Sequence, residues 1–289
     1  MSIVFISDFP TVETDILLQN VEDFKIGGAE QDDSAMLFYL SKELDEPIIR
    51  KLSSNLTLED INTVDRYILS NFTGIHPEVL NKMALSARYI IYEHDHKYCS
   101  TRNPALFPKF KIPLENIVNA LLYVKADAVF CMTEKHKEIL TSNIYCNAEC
   151  INGTFFFPSE LELMGKLSDL PKNNKTAIYG HPHPWKGMKE SIDFCKTQSL
   201  DYEVLSAQPT RRKFLENLAT YKSLAFFPNQ PETCCRFVVE AKMMNVDTKV
   251  SSIVGATGES WYPLNGSALS QFFSTQLFPI SIESLLKYL

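Results

Sequence analysis

The feature that most constrains this chain is an alternation along its length. Short apolar runs bounded by turn residues are followed by stretches with apolar residues at helical spacing. Ile3 to Ile6 reads as a buried parallel strand, and a polar stretch of unassigned structure follows to Lys25. Then comes an amphipathic run with Ala35, Met36, Tyr39 and Leu40 inward. Strand and helix patterns continue through Pro47 to Leu52, Arg66 to Ser70, Pro77 to Ala87, Arg88 to Tyr92, Pro113 to Lys125, Ala128 to Met132 and Glu134 to Leu140. Ile144 to Ile151 reads as a strand leading to the turn Asn152-Gly153. Beyond it, strands are expected at Thr176 to Tyr179, Tyr202 to Leu205 and Thr248 to Ile253, with helices at Met188 to Thr197 and Pro209 to Tyr221. Alternation of this kind predicts an α/β fold of parallel sheets covered by helices, with ligands bound beyond the carboxyl ends of the strands.

The segment from Ser223 to Asn245 concentrates the chemistry. Leu224 to Phe227 suits a buried strand, and Pro228, Asn229 and Pro231 break the chain into a turn. Phe237, Val238, Ala241 and Met244 recur at helical spacing, which predicts a helix from an N-cap at Thr233 to about Asn245. First-turn amides around Cys234, Cys235, Arg236 and Phe237 would favour an anion such as a diphosphate. Glu232 and Glu240 flank that point, and eight residues of helix would span about 12 Å. The layout suits a ligand built as sugar, diphosphate and ribose. The alternative is a solvated Glu232 ahead of an ordinary amphipathic core helix.

The stretch PETCCRFVVEAKMMN resembles the E-x7-E motif of GT-B glycosyltransferases, most closely those of glycosyltransferase family 4. The resemblance implies two Rossmann-like domains with parallel sheets facing a central cleft. It implies transfer of a sugar from a nucleoside diphosphate sugar with retention at the anomeric carbon, and no metal or further cofactor. A GT-B nucleotide-sugar epimerase or phosphorylase and a non-catalytic sugar-nucleotide-binding subunit are the alternatives. Carried over, Glu232 contacts the donor sugar hydroxyls and Glu240 the ribose. Family members usually place a glycine in the turn after the first Glu, where Cys234 and Cys235 stand here. The family also places an Arg and then a Lys-Gly after the first strand of the second domain, both cations holding the diphosphate. Lys186-Gly187 matches, whereas His181 stands in the place of the Arg and stabilises a diphosphate less. GGAE, with Gly27 and Gly28 opening a helix, resembles the family's glycine loop at the donor phosphate and acceptor, although a glycine pair at a helix start is also an ordinary turn. Asn-Gly at 152 resembles the interdomain crossover. The expected domains are therefore 1–151 on the acceptor side, 152–265 for the donor, and a helical tail, 266–289, that crosses back to the first domain.

Ile90 to Tyr92 ends in Glu93-His94-Asp95-His96, at the carboxyl edge of the first sheet. Many GT-B enzymes carry a His at this strand end near the reacting sugar, which makes His94 and His96 catalytic candidates between which the sequence does not choose. A structural loop histidine and a His-x-His metal site are the competing readings. Arg102-Asn103-Pro104 lines the acceptor side or is a plain surface loop.

Net charge is −7, from 28 basic and 35 acidic residues, so neither nucleic acid nor an anionic membrane is indicated as the main partner. Seven cysteines without repeated C-x-x-C spacing read as reduced thiols. No signal-peptide core opens the sequence, and no apolar stretch approaches the roughly 20 residues of a membrane helix. The default expectation is a soluble, cytoplasmic enzyme. Its partners would be a nucleotide-sugar donor and an acceptor that is carbohydrate, lipid-linked or protein.

Overall fold

A computed structural model of the chain describes residues 2–12, 27–206 and 208–289. Residues 13–25 of the polar stretch, and Ile26 ahead of the glycine pair, lie outside these residues. The chain divides into two compact units.

The first unit takes in the N-terminal strand, Ala29–Phe155 and Pro279–Leu289. Its elements are β1 (Ile3–Ser7), α1 (Gly28–Glu43), β2 (Ile48–Leu52), α2 (Leu58–Thr63), β3 (Arg66–Leu69), α3 (Pro77–Ser86), β4 (Tyr89–Glu93), α4 (Ala120–Lys125), β5 (Ala128–Cys131), α5 (Glu134–Thr141) and β6 (Ala148–Cys150). The strands form one parallel sheet in the order β2-β1-β3-β4-β5-β6. Every residue of β1, β4 and β5 is buried, as expected for central strands covered on both faces. Local chemistry sets the helix starts. Thr57 and Asp60 form a reciprocal capping box on α2, Pro77 occupies the first turn of α3, and Thr133 caps α5.

Among the described residues, the second unit takes in Gly27, Gly28 and Phe156–Phe278. It contains α6 (Pro158–Ser168), β7 (Thr176–Tyr179), α7 (Met188–Thr197), β8 (Tyr202–Leu205), α8 (Arg211–Leu218), β9 (Ser223–Phe226), α9 (Arg236–Met243), β10 (Asp247–Val250) and α10 (Gly266–Phe272). Its parallel sheet has the order β10-β9-β7-β8. Ile178 and Ala225 pack under Cys195 of α7, with Met188, Ile192 and Phe194 around them. A final helix, α11 (Phe278–Leu286), contributes its residues from Pro279 onward to the first unit. There Ser281 Oγ donates to the Ile151 carbonyl at 3.1 Å and Tyr288 Oη to Glu149 at 3.0 Å.

Two expected elements differ, and one helix was not expected. Pro113 to Lys125 is not one helix: a 3-10 turn over Leu114–Asn116 and α4 are separated at Asn119, whose φ of 56° no continuing helix tolerates. The strand expected over Ile144 to Ile151 shrinks to Ala148–Cys150. Pro158–Ser168, left unassigned by its sequence, is a helix with Pro158 in the first turn and Glu160 reaching back to the Phe157 amide at 3.0 Å. No helix among the described residues is long and apolar enough to cross a membrane.

Candidate functional site

In the second unit, β7 and β9 are neighbours whose following strands lie on opposite sides, β8 beyond β7 and β10 beyond β9. That reversal is a topological switch point, where the diverging loops leave a crevice at the carboxyl edge. The loop after β7 holds Gly180 to Gly187, and the loop after β9 holds Phe227 to Cys235. They are stitched together: the Asn229 amide donates to the Trp185 carbonyl at 2.9 Å and its Nδ2 to the Pro184 carbonyl at 3.3 Å, while the Phe227 amide donates to Ser191 Oγ of α7 at 3.1 Å. Gly187 is obligatory at this seam. Its φ is 65°, and a Cβ there would stand 1.8 Å from the Phe227 carbonyl oxygen.

This seam fixes Lys186, whose Nζ lies 2.7 Å from Glu232 Oε1. Burial pulls the ammonium down, but the adjacent Glu232 carboxylate outweighs it and holds the lysine pKa above its usual range. Glu232 is held from the other side as well. Its amide donates to the Ile253 carbonyl at 3.3 Å, and its carbonyl accepts from the Gly255 amide at 2.7 Å. The expected cation and the expected sugar-binding carboxylate thus meet at the switch point.

The helix after Glu232 starts later than its sequence predicts. Cys235, not Thr233, precedes the first helical residue, with φ 72° in the left-handed region that favours glycine. The first-turn amides are therefore those of Arg236, Phe237 and Val238, and the last closes on the Cys235 carbonyl at 2.9 Å. Cys234 is buried, and burial followed by the field of Glu232 pushes the Cys235 thiol well up. Only half of the interval from Glu232 to Glu240 is helical, so the helical span does not measure their separation.

Glu240 and Arg236 belong to a buried charge cluster. One nitrogen of Arg236 donates to both carboxylate oxygens of Glu160 at 2.7 Å, and its guanidinium lies 4.0 Å above the Phe156 ring. Glu240 Oε1 is paired with Arg211 and stands 3.0 Å from Arg236 Nε. Burial raises the Glu240 pKa against the opposing pull of Arg211 and Arg236. Its sequence had marked Glu240 for the ribose and Arg236 for the phosphate; in this structure both are engaged with one another and with Glu160. Glu160 was not singled out. The readable signal was an acid two residues after Pro158, a placement typical of a first turn.

His181 stacks on Tyr179 with ring centroids 5.4 Å apart. Its Nδ1 accepts from the His183 amide at 3.1 Å, and His183 Nδ1 accepts from the Trp185 amide at 3.4 Å. Both rings therefore cap backbone amides through Nδ1. Burial, then Lys186 and His183, lower the His181 pKa, so it does not supply the charge of the missing arginine.

In the first unit the two histidines after β4 part company. The His94 Nε2 lies 2.7 Å from Asp33 Oδ1 on α1 and 4.0 Å from Asp32 Oδ2. Although burial disfavours its charge, Asp33 and Asp32 raise its pKa to about 9, making it an imidazolium at neutral pH. Asp33 also accepts from Ser70 Oγ, while Asp32 accepts from Tyr92 Oη at 2.6 Å, Thr154 Oγ1 at 2.5 Å and the Phe155 amide at 2.5 Å. His96 is fully buried, with Nδ1 3.0 Å from Tyr98 Oη and its ring against His136 at 5.0 Å; burial takes its pKa down to about 4. Gly27 and Gly28 lie exposed at the start of α1, and Gly28 adopts no left-handed backbone.

At the carboxyl edge of β3 and β4 a cavity of about 400 Å³ is lined by Phe72, Thr73, Lys97, Arg102, Val118 and Asn119 among others. Lys97 Nζ lies 2.6 Å from Glu93 and 3.4 Å from Asp95, and Arg102 pairs with Asp95. Nearby, at the switch between β1 and β3, Asp8 accepts from Ser53 Oγ, Thr73 Oγ1 and the amides of Thr73 and Gly74. Burial raises its pKa, but these bonds outweigh that and lower it. Asp8, Asp32, Asp33 and Lys97 were not marked by the sequence. Asp32 and Asp33 carried a signal: each stands one turn before an inward apolar residue, Met36 and Leu37, on a helix whose acids should face water. Among the described residues, no three His, Cys, Asp or Glu side chains are grouped to hold a metal ion.

No family model matches the sequence. No curated protein matches it either. Solved structures do. HepE of Anabaena in complex with UDP-glucose is 13% identical over 99% of this chain and 100% of that one, with a TM-score of 0.55. The same protein with UDP and glucose gives 12% identity, coverage of 100% and 95%, and a TM-score of 0.50. AviGT4, a glycosyltransferase involved in avilamycin A biosynthesis, gives 11% identity, coverage of 99% and 96%, and a TM-score of 0.52. At such identities the likeness concerns the fold, and that fold is an α/β, GT-B-type chain of two parallel-sheet units.

Proposed function

We propose that the protein is a glycosyltransferase that moves a sugar from a nucleoside diphosphate sugar to an acceptor, with retention at the anomeric carbon. The observation that carries this reading is the Lys186–Glu232 pair, held at the switch point of the second sheet by a glycine that no other residue replaces. A cation there neutralises a leaving diphosphate, and a carboxylate beside it accepts hydroxyl hydrogen bonds from the transferred sugar. UDP-glucose is the first donor to test, because HepE has been solved with it. The first-unit cavity, with Phe72, Asn119 and Arg102 in its wall, suits the acceptor, and His94 with Asp33 is the charged pair on that side.

One observation favours a second reading, a non-catalytic sugar-nucleotide-binding subunit: Glu240, the expected ribose ligand, is committed to Arg211 and Arg236. A nucleotide-sugar panel read by thermal shift, followed by calorimetric titration, decides donor binding. UDP-glucose should bind, and Lys186→Ala should weaken it by about 1.5–3 kcal/mol. Unchanged affinity in a folded variant removes the phosphate role. Binding without release of free UDP in the presence of any acceptor supports the second reading.

A further inference from the structure

We infer that the stretch from Arg102 to Lys125 is a docking surface for an anionic lipid bilayer. Five of the fourteen exposed large apolar side chains among the described residues fall between Leu106 and Val124: Leu106, Leu114, Val118, Leu121 and Val124. Leu114, at the tip of its 3-10 turn, is 86% exposed. This is not a shortage of inward apolar residues. Ile112, Leu122 and Tyr123 of the same stretch fill the first core, and Phe107 and Ile117 pack against it. The segment is thus apolar on its inner side and apolar again on its outer side, where water alone would select polar residues.

Charge identifies the occupant. With Arg102 neutralised by Asp95, the stretch carries Lys109, Lys111 and Lys125 against Glu115 alone, a local +2 in a chain of net charge −7. Lys109, Lys111 and Lys125 are exposed. On α4, Leu121, Val124 and Lys125 share the outer face, at one-turn spacing. Scattered apolar tips rimmed by lysines match a headgroup layer, where the tips enter the acyl boundary and the ammonium groups meet lipid phosphates. The average charge that argued against a membrane surface conceals this patch. Arg102 and Val118 also line the first-unit cavity, so its wall is continuous with the docking surface.

The test is sedimentation with vesicles of equal parts phosphatidylglycerol and phosphatidylcholine, against vesicles of phosphatidylcholine alone. The chain should pellet with the anionic vesicles, and added salt should release it. Lys109→Ala with Lys125→Ala should weaken binding roughly 30-fold, and Leu114→Glu with Leu121→Glu roughly tenfold or more. Both variants alter only exposed side chains and should keep the wild-type melting temperature. Three results overturn the inference: no pelleting, equal pelleting with both vesicles, or binding indifferent to both variants. A concentration-dependent dimer abolished by Leu114→Glu and Leu121→Glu, without vesicle binding, also overturns it and assigns the face to a second copy.

Discussion

His94 should be the group that links the first unit's stability to alkaline pH. Its imidazole has an ordinary pKa of 6.5 and in the folded chain is raised to about 9, burial opposing the charge and Asp33 and Asp32 prevailing. A raised pKa means that the folded state holds the proton more tightly. The resulting stabilisation is complete below pH 6.5 and is lost as pH rises through about 9. Its size is on the order of 3 kcal/mol, undiminished by solvent because the side chain is only 8% exposed. Two measurements check this. In protein carrying labelled histidine, the His94 ring signal should titrate near pH 9, and Asp33→Asn should shift it markedly downward, Asp32 at 4.0 Å retaining part of the effect. In urea denaturation followed by far-ultraviolet circular dichroism, the stability difference between wild type and His94→Gln should shrink by that amount between about pH 6 and about pH 10. Both tryptophans, Trp185 and Trp261, lie in the second unit, so their fluorescence is an internal control. A His94 that titrates near 6.5, or is indifferent to Asp33→Asn, refutes the reasoning.

Gly187→Ala should cost at least about 2 kcal/mol, since it adds left-handed strain to a Cβ with no room, and it should abolish donor binding. Gly258→Ala, with nothing within 4 Å of its added carbon, should stay within about 0.5 kcal/mol of wild type in the same denaturation series. The two motif carboxylates should separate by assay. Glu240→Gln unbalances a buried cluster and should lower stability by about 3–5 kcal/mol, whereas Glu232→Gln breaks a partly exposed pair, should cost less than about 1 kcal/mol, and should reduce kcat.

The fold was largely legible because parallel strands buried on both faces read as short apolar runs, and helices as periodic ones. β7, α7 and β8 end at the expected residues. What failed was local geometry that one residue decides. Asn119 and Cys235 both take positive φ, one splitting an expected helix and the other delaying a helix start. Neither residue type announces that conformation as glycine would. α6 carried a signal that went unread: its buried Leu161, Met164 and Leu167 recur at about one-turn spacing behind Pro158. At the site, Lys186 and Glu232 could each be named, forty-six residues apart, but their pairing follows from strand order, which no local pattern encodes. The choice between His94 and His96 was likewise set by neighbours: α1 brings acids to one, while Tyr98 and His136 enclose the other.

The two carboxylates of the motif differ most in how easily each can exchange partners. Glu232 faces Lys186 in a pair whose lysine is 35% exposed, so water or a ligand oxygen can replace either member at little cost. Glu240 faces two arginines that are almost wholly buried, and removing it would strand both charges. Under the proposed function, an entering diphosphate therefore competes for Lys186 and not for Arg211 or Arg236. Where a phosphate draws the Lys186 ammonium away from Glu232, the freed carboxylate stands beside the sugar with unfilled acceptor capacity. Donor binding and sugar recognition become one exchange rather than two independent contacts. A bare nucleoside diphosphate releases Glu232 with no hydroxyl to receive, whereas a nucleotide sugar supplies it. Discrimination between donor and spent nucleotide can thus arise from a single pair of side chains, whose meeting depends on the glycine that seats them.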